Sequence, residues 1–305
     1  MPGRDLTPPN SRYVLAAVEQ ALCEDLDSPE ISTNADITTR WTTNGQGDRR
    51  TNARIIARKP GIIAGIPLVK AVFARLDPSV SLHVKAGDGA SVTPDEVVAE
   101  ISGPAAAILV GERTALNFLQ RLSGVATLTH CYCEAVTGTG AHITDTRKTT
   151  PGLRALEKYA VRCGGGTSHR RGLNDAVLIK ENHIIVAGSA LEAVRRARRH
   201  ASAEGRPETR VMCEVESIEQ LQEIIDSADS RPDRILLDNM SPTTLRQCVV
   251  RVREAAAQIE TEATGGLDLS TVRAVAETGV DVISIGALTH SAPALDFSLL
   301  FSESR

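Results

Sequence analysis

From residue 140 onward the chain repeats one pattern: a short aliphatic run, a polar or charged tip, and then a helical segment. This order is typical of a parallel α/β barrel, in which functional groups gather at the carboxyl ends of the strands. Six such runs can be counted, so we expect a barrel that is incomplete or open on one side. The runs with their tips occupy residues 141–148, 176–183, 210–216, 234–239, 258–266 and 281–290.

The first third of the chain has a different rhythm. Apolar residues recur at helical spacing from Ser11 to Leu26, and short β-like runs broken by glycine occupy residues 51–102. A helix is expected at 67–76 between these runs, and a long helical pattern extends from about 105 to 136. Short strands flanked by glycine, with a helix among them, predict a small α/β sandwich.

The two patterns predict two domains. We assign residues 1–125 to an α/β sandwich, with the tail 291–305 packing nearby, and residues 126–290 to the barrel.

Composition narrows the class of protein. The aromatic share is 3%, so the core must be aliphatic, which suits a parallel sheet covered by helices. The net charge of −4 gives no indication of nucleic-acid binding. Membrane-spanning stretches and an apolar leader are not evident, so we expect a cytoplasmic protein. The six cysteines are scattered, and we expect reduced thiols.

Positive charge concentrates between residues 147 and 180. Arg154, Lys158 and Arg162 fall at helical spacing and fit a solvated helix face. The cations that end aliphatic runs should instead point into the barrel mouth, where they suit carboxylates and phosphates. These are Arg147, Lys148 and Lys180, with His169 and Arg170 nearby.

The later strand tips are acidic. Glu214 and Glu216 lie two apart on a strand and share a face, so the pattern does not choose between them. Asp238 ends the next run, and Glu262 lies on the run after it. Carboxylates beside a cationic pocket could hold Mg²⁺, bind sugar hydroxyls or stabilise an oxocarbenium charge.

Two glycine-containing tips follow the last strands. Thr264, Gly265 and Gly266 form the first, and residues 286–290, which begin at Gly286 and end at His290, form the second. Glycine there lets backbone N–H groups approach a phosphate. Together the cations, acids and glycine tips predict transfer from a phosphorylated sugar with an anionic leaving group.

Several motifs resemble the quinolinate phosphoribosyltransferase family. The most specific block is Asp145-Thr-Arg-Lys-Thr149 with Pro151-Gly-Leu-Arg154, followed by the segments up to Leu178-Ile-Lys-Glu-Asn-His183. The resemblance extends over nearly the whole chain. Further matching segments are 111–117, 122–127, 157–161, 164–166, 169–170, 172–173, 214–216, 237–239, 264–266 and 286–290.

This resemblance implies a fold and an assembly. The fold would be an N-terminal α/β open sandwich with a C-terminal open α/β barrel, like the type II phosphoribosyltransferases. Subunits would form a homodimer in which each sandwich covers the partner's barrel.

The resemblance also implies roles for residues. Quinolinate would bind to Arg147, His169, Arg170 and Lys180, with Arg113 donated by the neighbouring subunit. Lys148, Glu216 and Asp238 would be catalytic, and the resemblance favours Glu216 over Glu214. Phosphoribosyl pyrophosphate would bind to Lys148, Glu216, Asp238, Thr264, Gly265, Gly266, Gly286 and His290, with Mg²⁺ at Glu216 and Asp238.

The implied reaction converts quinolinate and phosphoribosyl pyrophosphate into nicotinate mononucleotide, CO₂ and pyrophosphate. Three rival hypotheses remain. A paralogue could use nicotinate or another aromatic acid, although the density of cations favours a dicarboxylate. Lys180 could form a Schiff base, as in barrel aldolases. A non-catalytic binding barrel would be expected to lack one of the charged tips, and all are present.

Overall fold

The computed structural model describes residues 6–227, 230–256 and 258–302. These residues divide into two compact units. The first unit contains residues 6–130, 149–165 and 288–302, and the second contains residues 131–148 and 166–287 among those described. The predicted domain boundary at residue 125 falls inside a long helix, Ala105–Ala135. The segment 149–165, which the prediction placed in the barrel, packs with the first unit.

The first unit is built on a four-stranded antiparallel sheet of order β12-β1-β5-β3. Its core is aliphatic, with Phe73 and residues such as Leu22, Ile55 and Leu119 buried together. Among the described residues, the helices and strands of this unit are α1 Ser11–Leu26, α2 Ile37–Thr42, β1 Arg50–Ala57, β2 Gly61–Ile62, α3 Ile66–Leu76, β3 Ser81–Val84, β4 Ser91–Val92, β5 Val97–Pro104, α4 Ala105–Ala135 (up to residue 130), α5 Arg154–Cys163 and β12 Phe297–Phe301, with a 3-10 turn at Thr33–Ala35.

Local sequence signals explain where these helices begin. Asn10 caps α1, because its side chain accepts a hydrogen bond from the backbone N of Arg12 at 3.0 Å. Gly65 precedes α3 with a φ of +118°, a conformation that glycine adopts without strain, and Pro67 stands in the first turn. The helices predicted at 11–26, 67–76 and 105–136 are confirmed, and each observed end lies within one residue of the predicted end.

The second unit is built on a six-stranded parallel sheet of order β6-β11-β10-β9-β8-β7. All six predicted strands are present, and β6 and β7 are the sheet edges, so the predicted open α/β barrel is confirmed. Its elements are β6 His142–Thr144, β7 Val177–Ile179, α6 Glu181–Ala187, α7 Ala190–Ala203, β8 Val211–Val215, α8 Ile218–Ile225, β9 Arg234–Asp238, α9 Pro242–Ala256, β10 Glu260–Thr264, α10 Val272–Ala276 and β11 Val282–Ser284. The short helix α11, Ala287–His290, begins at the last residue of this unit, and its other residues belong to the first.

The prediction of a solvated face on α5 is wrong. Lys158 is only 3% exposed, and Arg154 and Arg162 are partly buried. Glu157 is fully buried and accepts a hydrogen bond from Arg121 Nη2 at 2.8 Å. Helical spacing of charges therefore does not make this a surface helix, and its buried acid, Glu157, is paired with Arg121 in the first unit.

The predicted tail lies against the sandwich through a strand that was not foreseen. β12 pairs antiparallel with β1, with Ile55 opposite Leu299. Residues 303–305 of the predicted tail, like residues 1–5 of the predicted sandwich, lie outside the described residues. All six cysteines are free thiols, as expected. Within the described parts of the chain, we find no helix with the length and apolar character needed to cross a membrane.

Candidate active site

A cavity of about 540 Å³ opens at the carboxyl ends of the parallel strands. A volume of this size suits a small-molecule ligand. Its lining belongs to the second unit and is predominantly polar and charged. The lining residues are Thr146, Arg147, Lys148, His169, Arg170, Leu178, Lys180, Glu214, Leu236, Asp238, Asn239, Glu262, Thr264, Gly265, Gly266 and Ser284.

One part of the lining is cationic. Arg147 and Lys148 follow β6, and His169 and Arg170 precede β7. Burial, and then the neighbouring Arg147, lower the pKa of Arg170. An arginine remains charged after such a shift, so two guanidinium groups stand close enough to repel each other. A bound dianion would relieve this repulsion.

Hydrogen bonds fix the two cationic segments against each other. The buried Asp145 accepts a hydrogen bond from the backbone N of His169 at 2.9 Å. A parallel bridge joins Thr144 to Thr167, just before these positions. Thr146 Oγ1 accepts from the backbone N of Lys148 at 3.0 Å. The motif around residues 145–148 therefore sets the position of both cationic segments.

Another part of the lining is acidic. Lys180 Nζ donates to Glu214 Oε2 at 2.7 Å, and Asn239 Nδ2 donates to Asp238 Oδ2 at 2.8 Å. Burial raises the pKa of Asp238, and the charge of Glu214 raises it further. Two carboxylates thus compete for positive charge at the ends of adjacent strands, which is the arrangement in which a divalent cation is favoured.

In the loop after β10, glycines without side chains expose the backbone to the cavity. Gly265 has a φ of +94°, and a Cβ there would lie 2.2 Å from Asn239 Oδ1. Asn239 itself takes a left-handed φ of +53°, and its backbone N donates to the Thr264 carbonyl at 3.0 Å. Only glycine fits at 265, so the loop is shaped for close approach to an oxygen-rich ligand.

Most of the predicted site residues meet in this cavity, and four do not line it. Glu216 is exposed after the end of β8, whereas Glu214 lines the cavity. Gly286 follows β11 outside the lining, and His290 is exposed at the end of α11. Arg113 is exposed on α4 in the first unit. The roles predicted for these four residues stay predictions.

The sequence pattern did not single out some of the lining residues. Asn239 and Thr146 adjoin predicted residues and could have been included as parts of strand tips. Glu262 was named with the acidic residues near the strand tips but was given no role of its own. It alternates with Thr264 on β10, so strand periodicity places both on one face. Ser284 ends β11 on the inner face, and a small hydroxyl residue in an aliphatic strand carries a weaker signal.

Comparison with known families covers both units. The model described as quinolinate phosphoribosyl transferase, N-terminal domain, matches residues 36–123. The model for the C-terminal domain of the same family matches residues 125–300.

Similar proteins carry a consistent description. A probable carboxylating nicotinate-nucleotide pyrophosphorylase of Bacillus subtilis is 45% identical over 253 residues, which are 83% of this chain and 84% of that protein. One of Synechocystis with the same description is 42% identical, covering 85% and 86%. The crystal structure of NadC from Streptococcus pyogenes superposes with a TM-score of 0.86 at 35% identity, covering 97% of this chain and 100% of that one.

Proposed function

This chain belongs to the quinolinate phosphoribosyl transferase family, and we propose that the cavity at the strand ends is its active site. The enzyme is a decarboxylating pentosyltransferase of de novo NAD biosynthesis. It converts quinolinate and phosphoribosyl pyrophosphate into nicotinate mononucleotide, CO₂ and pyrophosphate. The observation that carries the site assignment is the meeting of cationic, acidic and glycine-rich strand tips in one cavity.

The cationic part of the lining suits the two carboxylates of quinolinate. Arg147 and Arg170 supply guanidinium groups, and His169, which precedes Arg170 in the chain, lines the same cavity. Two like charges held in a partly desolvated site favour a dianion over a monoanion, because each unpaired cation there is costly. Lys180 adds a further ammonium group at the edge of the acidic part.

The chemistry follows from charge development. The pyridine nitrogen forms a bond to C1′ of the ribose while the bond from C1′ to the pyrophosphate oxygen breaks and the pyrophosphate leaves. The ring nitrogen thereby becomes cationic. The adjacent carboxylate then leaves as CO₂, its bonding electrons stay on the ring carbon beside that cation, and a proton replaces it.

The acidic part suits the electron-poor ribose. Carboxylates fixed near C1′ stabilise an oxocarbenium-like transition state. Glu214 and Asp238 occupy the cavity, so we assign this role to Glu214 in place of Glu216. Lys148 and the loop at 264–266 would hold phosphate oxygens.

Mg²⁺ fits the same carboxylates. Burial raises the pKa of Asp238, and the nearby charge of Glu214 raises it further, so a cation between them would be stabilised. Among the described residues, groups of three or more metal-ligating side chains are absent. Glu214 and Asp238 would therefore hold the ion together with the substrate's own phosphates, and the ion would neutralise the departing pyrophosphate.

Arg113 would act from a second subunit. It is exposed on α4, and the cavity in the second unit is lined without it. We propose a homodimer in which Arg113 of one chain completes the quinolinate site of the other.

The rival hypotheses lose support. Nicotinate offers a single carboxylate to the clustered cations, and the relatives are described as carboxylating. A Schiff base at Lys180 would need a free amine, whereas Nζ donates to Glu214. A non-catalytic barrel would not need the assembled set of charges.

Turnover tests the assignment. Purified protein is assayed with phosphoribosyl pyrophosphate, Mg²⁺ and quinolinate, with nicotinate in parallel, and both CO₂ and mononucleotide are measured. We expect one CO₂ per mononucleotide from quinolinate alone. Lys148→Ala should abolish this turnover, and Arg196→Ala, which removes only an exposed pair with Glu192 on α7, should leave it unchanged. Product from nicotinate, or full activity in Lys148→Ala, would overturn the assignment.

A further inference from the structure

Glu262 is a fully buried carboxylate in the lining of the cavity. It lies on β10, and its Oε2 accepts a hydrogen bond from Arg234 Nη1 at 2.6 Å. Arg234 is also paired with Glu260, at 2.9 Å, at the start of the same strand. A buried carboxylate is tolerated only with such a partner. Glu262 is therefore paired with Arg234, which does not line the cavity, rather than with the arginines and lysines that do.

One nitrogen of the His169 ring is held by a hydrogen bond, and the other faces Glu262. Nδ1 accepts a hydrogen bond from the backbone N of Arg170 at 2.7 Å. A ring nitrogen that accepts cannot carry the hydrogen, so the neutral ring carries it on Nε2. Nε2 lies 3.7 Å from Glu262 Oε2, and both side chains are nearly inaccessible to solvent.

The distance between Nε2 and Glu262 decides the kind of interaction. At 3.7 Å it is longer than a hydrogen bond, so Glu262 acts on Nε2 through its charge. A negative charge at that distance still favours the hydrogen on Nε2, because the site is shielded from water. Carboxylate partners of this kind commonly fix the orientation of histidine rings.

From this geometry we propose that Glu262 is a positioning residue, which acts through His169 and presents its Nε2–H as a hydrogen-bond donor to the acid substrate. The inference rests on the proposed function for the identity of that substrate, a pyridine dicarboxylate. It assigns Glu262 no contact with the reacting atoms. His169 then meets a substrate carboxylate as a donor and not as a base.

A double-mutant cycle tests the link between the two residues. Glu262→Gln keeps the shape of the side chain and removes its charge. We expect it to raise the KM for quinolinate about tenfold, with the KM for phosphoribosyl pyrophosphate changed less than about twofold. In a His169→Ala background the same change should have almost no further effect, because the ring through which Glu262 acts on the substrate is absent. Equal effects in both backgrounds would overturn the proposal.

Asp281→Asn is the matched control. It breaks an ion pair of the same length, Arg253 to Asp281 at 2.6 Å, which is more exposed than the Arg234–Glu262 pair and lies at the opposite end of the same sheet. Any general loosening of the sheet should appear in this variant too. Its effect should add to that of His169→Ala, in contrast to the effect of Glu262→Gln.

The state of the ring can be measured without turnover. Nitrogen-15 NMR of the ligand-free wild-type enzyme distinguishes the two neutral tautomers, with His169→Gln used to assign the signal. We expect a protonated Nε2 and an unprotonated Nδ1. A hydrogen on Nδ1 would overturn the proposal, even if Glu262→Gln fails to fold. If quinolinate is not the substrate, wild-type turnover fails while this signal stays as expected.

Discussion

Glu214 and Glu216 stand two residues apart and have different surroundings. Glu214 lies within β8, lines the cavity and pairs with Lys180. Glu216 follows the strand, is exposed, and its backbone N donates to Gln220 at 2.8 Å. β8 ends at Val215, and the alternation of side chains between the two faces of the sheet ends with it. Glu214 therefore faces the cavity, whereas Glu216 does not.

Neutralising each glutamate separates the two assignments. Glu214→Gln should lower kcat by about 10²-fold or more, because it removes a charge that faces the developing oxocarbenium ion. Glu216→Gln should change kcat by less than about threefold, as expected of an exposed side chain. Steady-state kinetics at saturating substrates measure both. A large loss in Glu216→Gln with a small one in Glu214→Gln would restore the role that the family resemblance implied.

Asp88 is a partly buried acid in the first unit, away from the catalytic residues in sequence. It accepts hydrogen bonds from the hydroxyl of Tyr159, at 2.6 Å, and from the backbone N of Ile66, at 3.0 Å. Burial raises the pKa of Asp88, and these hydrogen bonds oppose the shift. Asp88 and Tyr159 therefore tie the start of α3 to the middle of α5, through a carboxyl group whose pKa lies above its ordinary value.

The raised pKa of Asp88 makes stability depend on pH. The folded state binds this proton more tightly than the unfolded state, so the stabilisation is complete below the ordinary aspartate pKa. It is lost as pH rises from about 4 through the raised value. In this window the free energy of unfolding of the wild type should fall relative to that of Asp88→Asn, by at most about 1.4 kcal/mol per pH unit.

Urea unfolding at a series of pH values measures this difference. Tyr159→Phe is the control, because it removes a hydrogen bond that lowers the pKa of Asp88 and should widen the window. Wild type and Asp88→Asn curves that run parallel between pH 4 and neutrality would show that Asp88 keeps the same pKa on unfolding.

At the scale of elements, the turn after β10 depends on two adjacent glycines with different freedom. A Cβ at 265 would collide with the side chain and backbone of Asn239, at 2.2 and 2.9 Å. A Cβ at 266, where φ is +58°, would meet only Asn239 Oδ1, at 4.0 Å. The loop must therefore move to accept a side chain at 265 but not at 266.

Alanine at each position tests whether this loop binds phosphate. Gly265→Ala should raise the KM for phosphoribosyl pyrophosphate by at least about tenfold, because the displaced loop withdraws its backbone from the ligand. Gly266→Ala should raise it by less than about fivefold, since it adds only the strain of a left-handed alanine, about 1 kcal/mol. Similar values for the two variants would argue against a close approach at 265.

Helix α5 shows why sequence reasoning fails for some elements. Its charged residues fit an exposed face by spacing, yet Glu157 accepts hydrogen bonds from Arg121, at 2.8 Å, and from Thr150 N and Oγ1, at 3.0 and 2.8 Å. Arg121 lies 36 residues away in the chain. A local pattern carries no information on such a distant partner, so the burial of charges could not be predicted.

For the whole molecule, the sequence predicted the order of elements well. All six parallel strands of the second unit and the three long helices of the first occur where periodicity placed them. β12 was missed, because neither segment alone indicates that Ile55 pairs with Leu299. The cavity was predicted from strand tips, and Glu262 was named among its acidic residues, whereas Ser284 required knowledge of which faces converge.

Sharing of sites between subunits predicts complementation. Arg113→Ala and Lys180→Ala should each be inactive. Their re-assembled mixture should regain about a quarter of wild-type activity, because half of the dimers would be heterodimers in which one of the two sites is intact. A mixture of Lys148→Ala with Lys180→Ala is the control. Both residues line the same cavity, so no intact site can form and activity should stay absent. Equal recovery in both mixtures, or none in the first, would contradict a shared site.

The register of the two sheets also constrains how the chain can fold during synthesis. β1 is flanked by β12, with Ala53 opposite Phe301, and β6 is flanked by β11, with Ile143 opposite Ile283. The first strand of each of these sheets thus pairs with a strand that is translated near the end of the chain. Neither sheet can be completed on the ribosome until almost the entire chain has emerged, so β1 and β6 keep an open edge throughout translation.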